Sequence, residues 1–133
     1  MDRGNIYVSK KNLEHNLDYL RSINSKELCV VVKANAYGHD IGWTVRTAIS
    51  SGVNWFAVAA VDEAILVRSI SDDIRILLLS EPTSTELEKL AFYNIDTTVY
   101  NQKFIENLGN TTDSFNVHLK IDTGMHRLGC SPE

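Results

Sequence analysis

The feature that most constrains this chain is a fivefold recurrence. Apolar runs of strand length return at regular intervals, each parted from the next by a segment of helical period. The runs are "LCVVVK" (28–33), "VNWFAVAA" (53–60), "IRILLLS" (74–80), "IDTTVY" (95–100) and "FNVHLKI" (115–121). Three are nearly continuous in apolar residues, the pattern of parallel strands covered on both faces. Leu13, Leu17, Leu20 and Ile23 mark one face of a helix over about 11–24, and 42–52 reads as a helix stopped by Gly52. Segment 62–70 places Asp62 and Glu63 in its first turn and Ala64, Val67 and Ile70 along one face. After Pro82, Thr83 stands three residues before Glu86, a capping-box spacing that opens a helix packed through Leu87, Leu90 and Ala91. A short helix over about 101–108 completes the alternation.

Strand, helix and parallel strand in succession imply right-handed crossovers and leave two architectures: an open doubly wound sheet, or part of a (β/α)8 barrel. Each β/α unit here takes about 20 to 25 residues, and a full barrel needs roughly 250. A chain of 133 residues therefore accounts for five barrel strands. No Gly-x-Gly-x-x-Gly follows any of them, which removes the usual dinucleotide argument for the open sheet. A partial barrel leaves strand edges unpaired, so an isolated piece is expected to self-associate.

The remaining composition narrows the function classes. A net charge of −4, with Lys10-Lys11 the only short basic cluster, argues against nucleic-acid and anionic-membrane surfaces. The N-terminus lacks a signal-type apolar region, and the longest apolar run, Phe56 to Val61, is too short to span a bilayer, so a cytoplasmic protein is expected. Cys29 and Cys130 show no paired spacing and read as free thiols; the four histidines show no ligand spacing, and no metal is expected.

Two stretches carry chemistry. In "VVKANAYGHD", Lys33 ends a buried strand, and ligands of parallel sheets sit at the carboxyl ends of strands. If the strand alternates, Val31 and Lys33 share a face. A lysine partly desolvated beside an apolar wall can form a Schiff base and then serve as a general base. Alternatively Lys33 snorkels to solvent, its stem covering apolar surface. The small Ala34, Asn35 and Ala36, the phenol of Tyr37 and the turn-permitting Gly38 make a ligand-holding loop plausible, one that could seat a phosphate. In "VHLKIDTGMHRLG", Val117, Leu119 and Ile121 alternate with His118, Lys120 and Asp122. At an open edge the polar row faces solvent. In a barrel it points inward and needs pairing, for which Asp122, Lys120 and Arg127 are the nearest candidates. Arg127 can present its planar fork to a carboxylate, or be a surface arginine in a structural ion pair.

Taken together, "VVKANAYGHD" and "KIDTGMHRLG" closely resemble the two signature stretches of the bacterial alanine racemases. Their order, their separation of roughly 80 residues and their places after the first and fifth strands all fit. The resemblance implies that residues 1–133 are the N-terminal portion of a pyridoxal-phosphate-binding barrel, without the remaining barrel units and the C-terminal β domain. By it, Lys33 holds pyridoxal 5'-phosphate as an internal aldimine and moves the Cα proton on the face of the D-isomer. Tyr37 matches the tyrosine at the cofactor phosphate. Arg127 matches the arginine near the cofactor phenolic oxygen and the substrate carboxylate. Lys120 aligns with a lysine carbamylated in some members. Asp40 stands where many members have glycine, and His126 takes a variable loop place before Arg127.

The resemblance further implies interconversion of L- and D-alanine for peptidoglycan, a homodimer, and an opposing base, a tyrosine from the partner's C-terminal domain. On that footing, 133 residues alone are expected to be inactive. A serine racemase, or a non-catalytic pyridoxal-phosphate-binding module, satisfies the same two stretches.

Overall fold

A computed structural model describes residues 4–132. In chain order its elements are α1 (Lys10–Ser22), β1 (Cys29–Val31), the single turn α2 (Lys33–Tyr37), α3 (Ile41–Ser50), β2 (Trp55–Val58), α4 (Val61–Arg68) and β3 (Arg75–Leu78). A 3-10 turn (Ser84–Glu86) leads into α5 (Leu87–Phe92), followed by β4 (Asp96–Val99), α6 (Gln102–Gly109) and β5 (Val117–Leu119). All five strands are parallel, in the order β1-β2-β3-β4-β5.

That order decides between the two architectures. A doubly wound sheet reverses its strand order at a switch point and carries helices on both faces. Here each strand adds beside the previous one, and the helices share one face. Val32, Phe56, Val58, Ile76 and Leu78 project into the main core, where they meet Leu17 of α1, Val45 and Ala48 of α3, Val61, Ala64 and Val67 of α4 and Leu90 of α5. Val99 joins Leu87 and Phe104 in a smaller cluster below α6. The residues between them, among them Ala57 and Leu77, point to the opposite face and belong to neither cluster. Five sequential parallel strands with helices on one side are the arrangement of a partial (β/α)8 barrel, the second face being the barrel interior.

The expected elements recur with ends shifted by one to a few residues. Ser9 caps α1 by accepting from the Asn12 N–H at 3.3 Å. Leu17 is buried, whereas Leu20 and Ile23, expected on the same buried face, are exposed. The Thr83 capping box is formed, the Thr83 N–H donating to Glu86 Oε2 at 2.8 Å. β1 and β5 each have a single neighbour in the sheet. On β5, Val117 and Leu119 are exposed, as is Ile121 just beyond it, with no helix described over them.

Of the polar row of β5, His118 faces the side of the sheet away from the helices, the barrel alternative, but its pairing differs from the expected one. His118 Nε2 lies 3.4 Å from Asp96 Oδ2 rather than against Asp122, Lys120 or Arg127. The cause is register: Thr98 pairs with His118, which brings Asp96, two residues earlier on the same face, within reach. Arg75 Nη2 reaches the same oxygen at 3.3 Å, and Asn116 Nδ2 donates to Asp96 Oδ1 at 3.1 Å. A buried carboxylate at the amino end of the sheet is thus paired and hydrogen-bonded. Arg75 also stacks 4.4 Å from the Trp55 ring centroid. Cys29 stands beside Trp55 in register, its thiol pushed up to about 11 chiefly by burial, with Arg75 acting in the opposite direction. Both cysteines are free thiols.

Among the described residues, no helix is long and apolar enough to cross a membrane, and no group of three or more metal-ligating side chains converges.

Candidate functional site

The strand expected to run through Lys33 ends earlier, at Val31, and gives way to a left-handed turn. Ala34, Asn35, Ala36 and Tyr37 all have φ between 52° and 54°, and Gly38 comes next at 87°. Each left-handed non-glycine residue is disfavoured by roughly 1–2 kcal/mol. Four in succession therefore persist only if their surroundings over-determine them.

The restraints are visible. The Val32 N–H donates to the Ala57 carbonyl at 2.8 Å, tying the entry of the turn to β2. The Ala36 N–H donates to the Val32 carbonyl at 2.8 Å, and the Ile41 N–H to Asn35 Oδ1 at 2.8 Å. The Ala34 N–H donates to Glu63 Oε1 at 2.6 Å, while Glu63 Oε2 accepts from the Ala59 N–H at 3.0 Å. One carboxylate at the start of α4 thus bridges the chain segments leaving β1 and β2. Asp40, at φ 72°, accepts from the Trp43 N–H at 2.7 Å and caps α3, a bond that glycine at this position cannot make.

The turn presents Lys33, half-buried, with its Nζ 6.0 Å from the centroid of the exposed Tyr37 ring. Neither the Lys33 ammonium nor the Tyr37 hydroxyl has a hydrogen-bond partner among the described residues. A lysine side chain and a phenol therefore sit near one another at the carboxyl end of the sheet, beside the exposed Ala34, while Ala36 is buried in the core. Glu63 has a counterpart further along the sheet: Glu81 Oε1 accepts from the Tyr100 and Asn101 N–H groups, both at 2.7 Å. Neither glutamate stands out in the sequence. The available signal for Glu63, an acidic residue in the first turn of a helix, has a sufficient explanation in the helix dipole.

The second stretch forms a loop folded around Asp122. Its Oδ1 accepts from the Gly124 and His126 N–H groups, both at 3.0 Å, and its Oδ2 lies 3.2 Å from His126 Nδ1. The chain then returns alongside itself: the Asp122 N–H donates to the Cys130 carbonyl and the Cys130 N–H to the Lys120 carbonyl, both at 2.9 Å. Gly129, at φ 129°, makes this return possible, because a Cβ there would lie 2.6 Å from the Asp122 nitrogen. Arg127 rides on the loop, exposed, its guanidinium unpaired among the described residues. Lys120 is half-buried and likewise has no side-chain partner there. The structure thus pairs Lys33 with Tyr37 but brings neither into contact with Arg127 or Lys120. The two groups occupy the carboxyl ends of the first and fifth strands, which stand opposite one another across an eight-stranded barrel.

The Asp122 carboxyl is held below the ordinary aspartate range, first by the Gly124 N–H and then by the His126 N–H. A pKa lower in the folded state gives stability that is present above the unfolded value and lost as pH falls through the folded one. Acidification below the ordinary aspartate range is therefore expected to release amide protection at 124–127 before the sheet melts, as read by hydrogen exchange. Uniform loss of protection across loop and sheet would contradict the role given to Asp122.

The family model for "Alanine racemase, N-terminal domain" matches residues 8–133. An alanine racemase of Treponema denticola is 39% identical over 127 residues, covering 91% of this chain and 34% of its own length. The crystal structure of the Enterococcus faecalis alanine racemase superposes with a TM-score of 0.86 at 31% identity, over 92% of this chain and 35% of that one. A histidine racemase from Leuconostoc mesenteroides superposes with a TM-score of 0.83 at 26% identity, over 93% and 35%. The chain spans about a third of the length of the curated relatives it matches. On the family match across residues 8–133, and on relatives at this identity over most of its length, the chain belongs to the alanine racemase N-terminal domain family.

Proposed function

We propose that this chain is the lysine-bearing part of an alanine racemase, a pyridoxal-phosphate-dependent isomerase that interconverts L- and D-alanine and supplies D-alanine for peptidoglycan. The observation that carries the reading is Lys33 presented beside Tyr37 by a strained turn at a strand end, in a chain of this family. Residues 1–133 form, in this reading, the N-terminal portion of the pyridoxal-phosphate-binding barrel of a cytoplasmic homodimer.

The residues present fit the cofactor. An aldehyde group needs an accessible amine, which Lys33 offers, and a phosphate needs donors, of which the unpartnered Tyr37 hydroxyl is one. The exposed Ala34 leaves room for a flat ring, whereas Ala36 packs into the core. Pyridoxal phosphate, when bound, stabilises the negative charge that develops at the substrate Cα. Lys33 would hold it, and its side-chain amine would move the Cα proton on the face of the D-isomer. Arg127 would supply a planar cation for the cofactor phenolic oxygen and the substrate carboxylate. Carbamylation of Lys120 turns an inward cation into an anion able to orient that arginine. Racemisation needs a second proton-transfer group on the opposite face, which we place outside these residues.

Lys33 and Arg127 address features common to all α-amino acids. The match to both an alanine and a histidine racemase accords with this: choice of amino-acid side chain rests on groups elsewhere. In deuterium oxide with added pyridoxal phosphate, the natural-length protein is expected to exchange the Cα hydrogen of both L- and D-alanine, followed by NMR. Faster exchange of serine or histidine would move the substrate within the same class. No exchange with any of the three would remove the enzymatic reading and leave a cofactor-binding module.

A further inference from the structure

We propose that Glu63 is a positioning residue that holds the left-handed turn in place, through the Ala34 and Ala59 N–H groups together, and thereby aims Lys33. The inference rests on the reading of Lys33 as the cofactor-bearing lysine.

Most bonds of the turn are local. The Ala36 N–H to Val32 carbonyl, Ile41 N–H to Asn35 Oδ1 and His39 Nδ1 to Ala36 carbonyl contacts each link residues no more than six apart, and could equally stabilise other turn shapes. The Ala34 N–H is different. It belongs to the peptide directly after Lys33, and its acceptor lies 29 residues away in sequence at 2.6 Å. Orienting this peptide fixes the ψ angle of Lys33 and so the direction in which its side chain leaves the backbone.

Glu63 is itself immobilised. It stands in the first turn of α4, whose Val61, Ala64 and Val67 are buried against the sheet. Its second oxygen is occupied by the Ala59 N–H, just past the end of β2. The position of the Lys33–Ala34 peptide is therefore referred to β2 and α4, the well-packed part of the fold, rather than to the exposed turn alone. A charged acceptor suits both amides, since charge-assisted hydrogen bonds are shorter and stronger than neutral ones. Glutamine retains one acceptor oxygen but turns a donor toward the other N–H, so it can satisfy only one of the two.

The test compares wild type, Glu63→Ala and Glu63→Gln at natural length with pyridoxal phosphate added. Borohydride trapping and peptide mapping measure how fast the cofactor becomes fixed to Lys33; hydrogen exchange reads the Ala34 amide; thermal melting reports global stability. The expected result for Glu63→Ala is an Ala34 amide that exchanges at least about tenfold faster, and fixation slowed by about the same factor, at a folded fraction equal to wild type. Glu63→Gln should fall between the two. Wild-type exchange at Ala34 in Glu63→Ala overturns the proposal, as does slowed fixation that merely tracks a lowered folded fraction. If wild type itself fixes no cofactor at Lys33, the reading of Lys33 fails, and the exchange arm still decides whether Glu63 holds the turn.

Discussion

Lys33→Ala, in the natural-length protein, is expected on the proposed function to abolish the visible absorbance of lysine-held cofactor and to lower alanine racemisation by at least about 10²–10⁴-fold, the range for loss of a positioned acid-base group. The fold should scarcely notice. The Lys33 side chain makes no hydrogen bond or ion pair among the described residues, and its 6.0 Å approach to the Tyr37 ring is a contact of about 0.5–1 kcal/mol at an exposed site. A melting temperature close to wild type therefore separates lost chemistry from lost structure. Methylamine should restore part of the rate, because a free amine can occupy the space left by the side chain and accept a proton there. Arginine at the same position should not be rescued, since it fills the space without becoming a nucleophile. Wild-type turnover in Lys33→Ala would remove the lysine from the mechanism and leave it a snorkelling strand-end cation.

Why the sequence points to Lys33 but not to its support is a matter of which interactions are local. The apolar runs report burial directly, so all five strands are legible, and the Thr83–Glu86 box is a bond between near neighbours that spacing alone can reveal. The left-handed turn is neither. Alanine favours right-handed helix, and nothing in "KANAY" announces four positive φ values; they arise from bonds to Ala57 and Glu63 that exist only after β2 and α4 have packed. The partner of His118 escapes the sequence for a related reason. Asp96 is far from it along the chain, and only the register of β4 on β5 brings the two together, while nearby Asp122 is committed to its own loop. The choice between barrel and open sheet also depends on topology: the same apolar strands suit both, and only strand order and one-sided helix packing distinguish them.

Arg68 is equally concealed, and its replacement is expected to have the largest effect on stability. In sequence it is one cation in "DEAILVRSI"; in the fold it is 8% exposed at the end of α4. Its Nη1 donates to the Ile74 carbonyl at 2.7 Å, to that of Asp72 at 2.9 Å and to that of Ser71 at 3.4 Å. Its Nε donates to the Tyr93 carbonyl at 2.9 Å, and its Nη2 to that of Asn94 at 2.8 Å. One guanidinium thus joins the loop entering β3 to the loop entering β4. Burial lowers its pKa from the ordinary value, with Asp72 and Asp96 acting in the opposite sense, yet an arginine stays charged in a protein. Arg68→Met keeps the apolar stem and leaves these carbonyls without their donor. An unsatisfied buried acceptor costs about 1–3 kcal/mol, so the loss over this set should reach at least about 3 kcal/mol, a large part of the roughly 5–15 kcal/mol that holds a typical domain together. Arg68→Lys should fall between, because an ammonium lacks the planar fork that reaches both loops at once. Urea unfolding followed by circular dichroism measures the change, with an unaltered m-value showing that it belongs to the native state. A loss below about 1 kcal/mol in Arg68→Met, the net value of one ordinary hydrogen bond, would mean that water replaces the guanidinium and that the two loops are held by the sheet alone.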